Sequence, residues 1–464
     1  MLRIGSWAAL VAASALSPAV AVAGQPAESA AVNAVPAPQV DHHFHLTSPA
    51  IAAVINGRPL ATVEVPPAVG ALLAARAQGW NDSEALAALF VPDATVLVQS
   101  PQKAALFRGR SLVAKYLAGR FGKPYRMVAV AQSLSAGTGS VTGYYVRGEG
   151  EALQHVGVFQ LALAKQKDGA WRIASEIPAF PSAPPQRTVL AEDAIAMLDA
   201  AGIRRAVVLS NAGAFGGRTF DPAGQEEPAE QLYARVKAEN DWSVAQVSKF
   251  PERLISFCSL NPLAAHALDE LRRCAATGHR GLKMQFFESM VELQNPAHVE
   301  RVRAVFALAN ALRLSILVHV ENNRGADAVV AANVATLLDR IAVAAPDVTI
   351  QLAHLWGGGA YSEAALNAYA DAVSSGHPAT RNIVFDVAEA ALVASGAGPM
   401  KQPILDNVAK RIRQIGVERI LFGSDQFGGN HRKPTEAWQM FVGEVPLTEA
   451  EFAAIAANVA PYLR

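Results

Sequence analysis

The sequence has no surplus of charge: forty Lys and Arg residues balance forty Asp and Glu. A chain without a net field offers no electrostatic footprint for nucleic acid or an anionic membrane surface, and no basic run after residue 30 supplies a local one. Charged residues are sparse at 17%, while apolar ones reach 51%, too many for a disordered chain. Cysteine is nearly absent. Cys258 sits on an apolar run and Cys274 on the amphipathic stretch after it. That placement favours two buried free thiols over a bridge and gives neither to a metal. Long apolar runs are missing too: Trp7 to Ala15 is short, and Ser14 and Pro18 interrupt it, so it does not read as a membrane span.

That run has a better reading. Arg3 and the amino terminus form a weak positive end, and Ala21-Val22-Ala23 fits the small-x-small pattern of a cleavage site. Residues 1–23 are therefore expected to be a signal peptide cut before Gly24, with a buried N-terminal helix as the alternative. The mature chain is then expected to be exported, periplasmic or secreted, and free of the membrane. Residues 24–38, rich in Ala, Pro and Val, read as a flexible leader.

From residue 188 onward, amphipathic stretches alternate with short β-branched apolar runs. These are Ala206-Val207-Val208-Leu209, Leu254-Ile255-Ser256-Phe257, Gly281-Leu282-Lys283-Met284 and Ser315-Ile316-Leu317-Val318, then Val348 to Leu352, Ile383-Val384-Phe385 and Ile420-Leu421-Phe422. Runs so short and apolar suit strands buried on both faces, and the alternation implies a parallel sheet. Gln39 to His45 supplies an eighth strand far upstream. Eight strands with helices between them predict an α/β fold, a closed (β/α)8 TIM-like barrel. About 160 residues separate the first two strands, a surplus large enough for a domain of its own.

The surplus begins with a helical stretch from Ala68 to Leu89, interrupted at Trp80-Asn81-Asp82. Phe90 to Ala94, a Gly109-Arg110-Ser111 turn and a short helix follow. Alternating strands come next, near Arg126–Ser133, Ser140–Arg147 and His155–Lys165, with Trp171-Arg172-Ile173 last. Helices before a long antiparallel sheet form an α+β order. Its Phe90-x-x-Asp93-Ala94 and Gly109-Arg110 patterns resemble the NTF2-like (SnoaL-like) domains. The expected organisation is a discontinuous barrel of residues 39–60 and 186–464, with an NTF2-like insert at 66–180. Because the insert leaves from the loop after His45, it is expected over the active-site face as a lid, a specificity element or a dimer contact.

The chemistry gathers at strand ends. In Asp41-His42-His43-Phe44-His45, simple alternation puts Asp41, His43 and His45 on one face and His42 and Phe44 on the other. His319, His354 and Asp425 each follow a later apolar run. A barrel presents its active site at the C-terminal ends of its strands, so these side chains are expected to converge. Neutral imidazoles and a carboxylate suit a divalent cation: zinc first, with manganese, iron or cobalt as alternatives.

These pieces resemble the amidohydrolase superfamily, in its amidohydrolase-related (amidohydrolase 2) branch. They are Asp41-x-His43-x-His45, Val318-His319, Ala353-His354-Leu355, Phe422-Gly423-Ser424-Asp425 and the closing Ile455-x-x-Asn458-x-x-x-x-Leu463. The resemblance implies one divalent metal held by His43, His45, His319 and Asp425. It makes Asp425 and His354 the catalytic acid/base pair and implies hydrolysis of an amide, lactone or ester-like bond in a small molecule by metal-activated water. Non-oxidative decarboxylation with the same ligands is the alternative, and a non-catalytic binding protein the third reading. Lys283 is open between a substrate or anion contact, a metal-bridging carboxylated lysine and a structural group. Arg324 and Trp356 are open between substrate contacts and ordinary loop residues. A small-molecule substrate and a homodimer complete the expected partners.

Overall fold

The computed structural model describes residues 35–56, 61–100, 103–119, 122–148, 154–179, 186–321, 325–394, 397–428 and 432–464. The expected signal peptide and most of the leader lie outside them, as does Arg324. Chain contacts divide the molecule into two compact units. One is Arg58–Pro184, and the other joins Pro185–Arg464 to the stretch ending at Gly57.

Strand β1 (Val40–Phe44) belongs to the larger unit. The Arg58–Pro184 unit contributes β2 (Phe90–Ser100), β3 (Lys103–Arg108), β4 (Arg126–Leu134), β5 (Thr138–Arg147), β6 (Gln154–Lys165) and β7 (Trp171–Ala179). The chain then adds β8 (Arg205–Leu209), β9 (Leu254–Ser259), β10 (Gly281–Gln285), β11 (Ser315–His319), β12 (Ile350–Leu352), β13 (Ile383–Asp386) and β14 (Ile420–Leu421).

The eight apolar runs become one parallel sheet in the order β1-β8-β9-β10-β11-β12-β13-β14. Its ends meet through backbone bonds from His42 N to Phe422 O (2.9 Å) and from Asp425 N to His43 O (2.8 Å), closing the barrel as expected. Alternation along each strand sorts side chains inward and outward. On β9, Ile255 and Phe257 join an inner cluster with Val40, Val207 and Leu317. Leu254 and Cys258 join the outer cluster beneath the helices. No helix among the described residues is long and apolar enough to cross a membrane.

Two expectations fail here for physical reasons. β1 does not alternate simply, because its pairing with β8 shifts register between Asp41 and Phe44. An extra residue of this kind re-aims side chains. His42 and His43 therefore both contact interior residues: His42 lies edge-on to Tyr462, and His43 reaches Lys283. Phe44 packs in the outer layer. Nor are the cysteines free thiols, since Cys258 and Cys274 form a disulfide. The outward turn of Cys258 meets the buried face of helix Ala267–Ala276, which presents Cys274 with a Cα–Cα distance of 6.1 Å, inside the range a bridge spans.

In the Arg58–Pro184 unit, helices Pro67–Gln78, Ser83–Leu89 and Arg110–Leu117 accompany a six-stranded sheet ordered β3-β2-β7-β6-β5-β4. Asp82 breaks the first helical stretch by capping the second helix, accepting from Glu84 N and Ala85 N. Its core holds a buried ion pair. Arg76 donates to both carboxylate oxygens of Glu176 at 2.9 and 2.8 Å and to the Tyr125 hydroxyl at 2.6 Å. The β2–β3 hairpin was not expected from sequence. Pro92 lies inside β2, where the pairing with β7 shifts register between Phe90 and Thr95. Proline is tolerated at such irregularities but breaks the alternating pattern that announces a strand.

Candidate metal centre

Asp425 is the centre of the strand-end cluster. Its Oδ1 lies 3.2 Å from His43 Nε2 and 3.4 Å from His45 Nε2, and its Oδ2 lies 3.8 Å from His354 Nε2. His43, His354 and Asp425 place one ligand atom each within 4.8 Å of one another. His319 stands beside His354, ring centroids 4.8 Å apart, with its Nε2 buried and without a hydrogen-bond partner. All five sequence-picked metal-type side chains thus come together at one end of the barrel.

The other ring nitrogens decide what this cluster can hold. His43 Nδ1 meets Asp386 Oδ2 at 3.1 Å, His45 Nδ1 meets the Leu209 carbonyl at 3.0 Å, and His354 Nδ1 meets the Ala388 carbonyl at 2.8 Å. Carboxylates and carbonyls only accept, so each Nδ1 carries a proton and each ring turns its Nε2 toward Asp425. Burial pushes His43 down to about 4, helped by the Lys283 ammonium, and lowers His45 and His319 as well. Asp425 is held well below the usual carboxylate range: burial opposes its charge, but its contacts with His43, first, and with His45 and His354 outweigh it. Rings driven neutral and a carboxylate that needs positive charge make opposing demands. A divalent cation among the Nε2 atoms meets both, so the donor set fits a metal.

Backbone strain marks the same place. His354, Leu355 and Asp425 have φ of 56°, 61° and 52°, left-handed values that L-residues rarely adopt. Gly358 (φ 103°) runs so close to His319 that a Cβ there would sit 2.0 Å from its Nε2. Gly423 lets the end of β14 approach β1, since a Cβ would sit 2.6 Å from that of His43.

Lys283 is buried with its Nζ 3.0 Å from His43 Nε2, and burial lowers it to about 8 against the pull of Asp425 and Asp386. It can donate only to a neutral His43 lone pair, the same pair a metal would take. Trp356, left open between a substrate contact and loop packing, is fully buried in the outer core and edge-on to Tyr361. The chain turns there through Gly357, whose carbonyl takes the amides of Val320 and Glu321, and this folds the indole inward. Asp41 binds no ring: its Oδ1 takes the amides of His43 (3.1 Å) and Ser424 (3.0 Å), tying β1 to the end of β14.

Sequence reasoning missed Asp386. Besides His43, its carboxylate accepts from Gln351 Nε2 (2.8 Å), His354 N (2.9 Å) and Ala388 N (3.2 Å). Burial opposes its ionisation, yet His43 and these donors hold it far below the usual carboxylate range. The signal was present, because Asp386 ends Ile383-Val384-Phe385 just as His319 ends its own run.

A family model described as amidohydrolase matches residues 40–460. No curated protein matches in sequence. Among solved structures the chain is similar to 2,6-dihydroxybenzoate decarboxylase from Rhizobium, at 16% identity and TM-score 0.40, over 59% of this chain and 87% of that one. It is similar also to a probable 2-pyrone-4,6-dicarboxylic acid hydrolase from Acinetobacter baumannii, at 13% identity and TM-score 0.39, with the same 59% and 87% coverage. A third is 5-carboxyvanillate decarboxylase from Novosphingobium aromaticivorans, complexed with manganese, at 13% identity and TM-score 0.37, over 57% and 77%. With more than four-fifths of its length matched by the family model, this chain belongs to the amidohydrolase family.

Proposed function

We propose that the chain is a metal-dependent hydrolase of an amide, lactone or ester-like bond in a small molecule. The observation that carries this is the convergence of Nδ1-anchored imidazoles, each offering Nε2, on the ionised carboxylate of Asp425. His43, His45, His319 and Asp425 would hold one divalent ion, zinc first, with manganese, iron or cobalt also suited to such donors. When bound, such an ion supplies a Lewis acid that acidifies water and polarises a carbonyl.

His354 is assigned proton transfer rather than ligation because it addresses the other oxygen of Asp425. His43 and His45 face Oδ1, whereas His354 Nε2 faces Oδ2. Asp425 Oδ2 takes the proton of the attacking water and passes it to the Nε2 lone pair of His354, 3.8 Å away, which then delivers that proton to the leaving group. Asp386 and the Ala388 carbonyl hold the His354 ring at that aim. The Arg58–Pro184 unit is read as NTF2-like, on its helices preceding a bulged six-stranded sheet.

Turnover of a panel of lactones, amides and aromatic carboxylates in ¹⁸O-labelled water tests the reaction type. The proposal expects label in the product carboxylate. It expects His319→Ala to lose metal, and His354→Ala to keep metal but lose about 10²- to 10⁴-fold in turnover. Carbon dioxide release without label would replace hydrolysis by decarboxylation, and a metal-free wild type with no turnover would leave only a binding role.

A further inference from the structure

The N-terminal end of the barrel is sealed by the last residues of the chain. Val459, Tyr462 and Leu463 pack against the inner cluster of Val40, Val207, Phe257 and Leu317. The Tyr462 ring lies 5.2 Å from that of Phe257, and Ala460 N bonds His42 Nε2 at 3.1 Å. Packing alone would be met by a phenylalanine. Tyr462 does more, because its hydroxyl is 2.7 Å from Gln351 Oε1.

Gln351 is out of place as a core residue. It is the middle residue of β12 and fully buried, between Ile350 and Leu352. An amide buried at such a position costs free energy unless its donors and acceptor are all used. Here they are. Nε2 donates to Asp386 Oδ2 at 2.8 Å and to the His42 carbonyl at 3.2 Å, and Oε1 accepts from Tyr462. The direction follows from chemistry: an ionised carboxylate only accepts, so the NH₂ group faces Asp386, the amide oxygen faces Tyr462, and the phenol must donate. Asp386 Oδ2 also accepts from His43 Nδ1 at 3.1 Å. An unbroken line of oriented hydrogen bonds therefore joins the C-terminal plug to His43.

We propose that Tyr462 and Gln351 are positioning residues which, through Asp386, fix the tautomer and aim of the His43 imidazole at the opposite end of the barrel. The line sets which nitrogen of His43 carries the proton and so which one faces Asp425. As far as it concerns metal affinity, the proposal rests on the metal-centre reading above. Its effect on the imidazole does not.

The test uses the full-length chain as Tyr462→Phe, Gln351→Leu and Leu463→Ala. Leu463→Ala loosens the plug without touching the line. Two readouts are taken: ¹⁵N imidazole spectra of the metal-stripped protein labelled at histidine, and Zn²⁺ affinity by chelator competition. Gln351→Leu is expected to move the His43 ring signals away from the Nδ1-protonated pattern and to weaken Zn²⁺ binding about ten- to a hundredfold, the usual effect of removing an outer-shell partner. Tyr462→Phe should shift both in the same direction by less. Leu463→Ala should lower the melting temperature and leave both readouts unchanged. The proposal is overturned if Gln351→Leu and Tyr462→Phe leave the His43 signals of wild type intact, or if all three variants change them alike. If the wild type binds no Zn²⁺, the metal-centre reading fails while the ring spectra still decide for or against the line.

Discussion

At Gly358 a single hydrogen stands where any other residue would put a carbon into His319. The Cβ of alanine would lie 2.0 Å from Nε2, and its φ of 103° is strained for an L-residue. Gly358→Ala should therefore keep the fold, displace the His319 ring and cut metal retention at least as severely as an outer-shell change, about tenfold or more. Metal content after gel filtration checks this, and retention at the wild-type level would contradict it. At this scale the sequence displayed the residue types but not their aim. His43, His45, His319, His354 and Asp425 could be picked out because each ends an apolar run. Asp386 ends one too, yet its value lies in four hydrogen bonds from residues scattered over the chain, which no local pattern announces. Trp356 stayed open between substrate contact and loop packing for the converse reason: beside three glycines it looks like a loop residue, and only the turn shows that the indole goes inward.

Elements hold these side chains in place, and the segment after β1 shows how. Helix Pro49–Ile55 is capped by Ser48, whose Oγ accepts from Ile51 N at 3.0 Å and donates to Glu239 Oε2 at 2.5 Å. Burial raises Glu239 from 4.5 to about 7, opposed by the Ser48 bond. A carboxyl raised in the folded state binds its proton more tightly there than when unfolded. Its contribution to stability is fully present below about 4.5 and is lost as pH rises through about 7. The wild type should thus lose stability relative to Glu239→Gln between pH 5 and 8, by on the order of 3 kcal/mol. Melting curves of both proteins across that range test it, and a constant difference would contradict it. Strand and helix positions in the barrel could be read from apolar periodicity because each strand is buried on both faces. The β1 irregularity could not, since one shifted pairing reverses the faces without altering composition. The β2–β3 hairpin escaped notice because Pro92 interrupts its alternation.

For the whole molecule, the order of strands and the domain-sized gap after the first were enough to indicate a barrel with an insertion. How the two cysteines relate was not, because it depends on which way β9 faces its helix. The bridge closes a short loop, with 16 residues of sequence separation. Removing it by Cys258→Ser with Cys274→Ser should cost about 3 kcal/mol of unfolding free energy. Denatured, unreduced wild type should show no reactive thiol; two titrating thiols would contradict the bridge.

The proposed metal centre depends most on the imidazoles at the barrel mouth needing a cation to reconcile their lone pairs with Asp425. Stripping the wild type and titrating it calorimetrically with Zn²⁺, beside a His43→Ala, His45→Ala double variant of the same melting behaviour, measures that directly. One equivalent bound per wild-type chain and none by the double variant is the predicted result. Equal uptake by both, or none by the wild type, would contradict it.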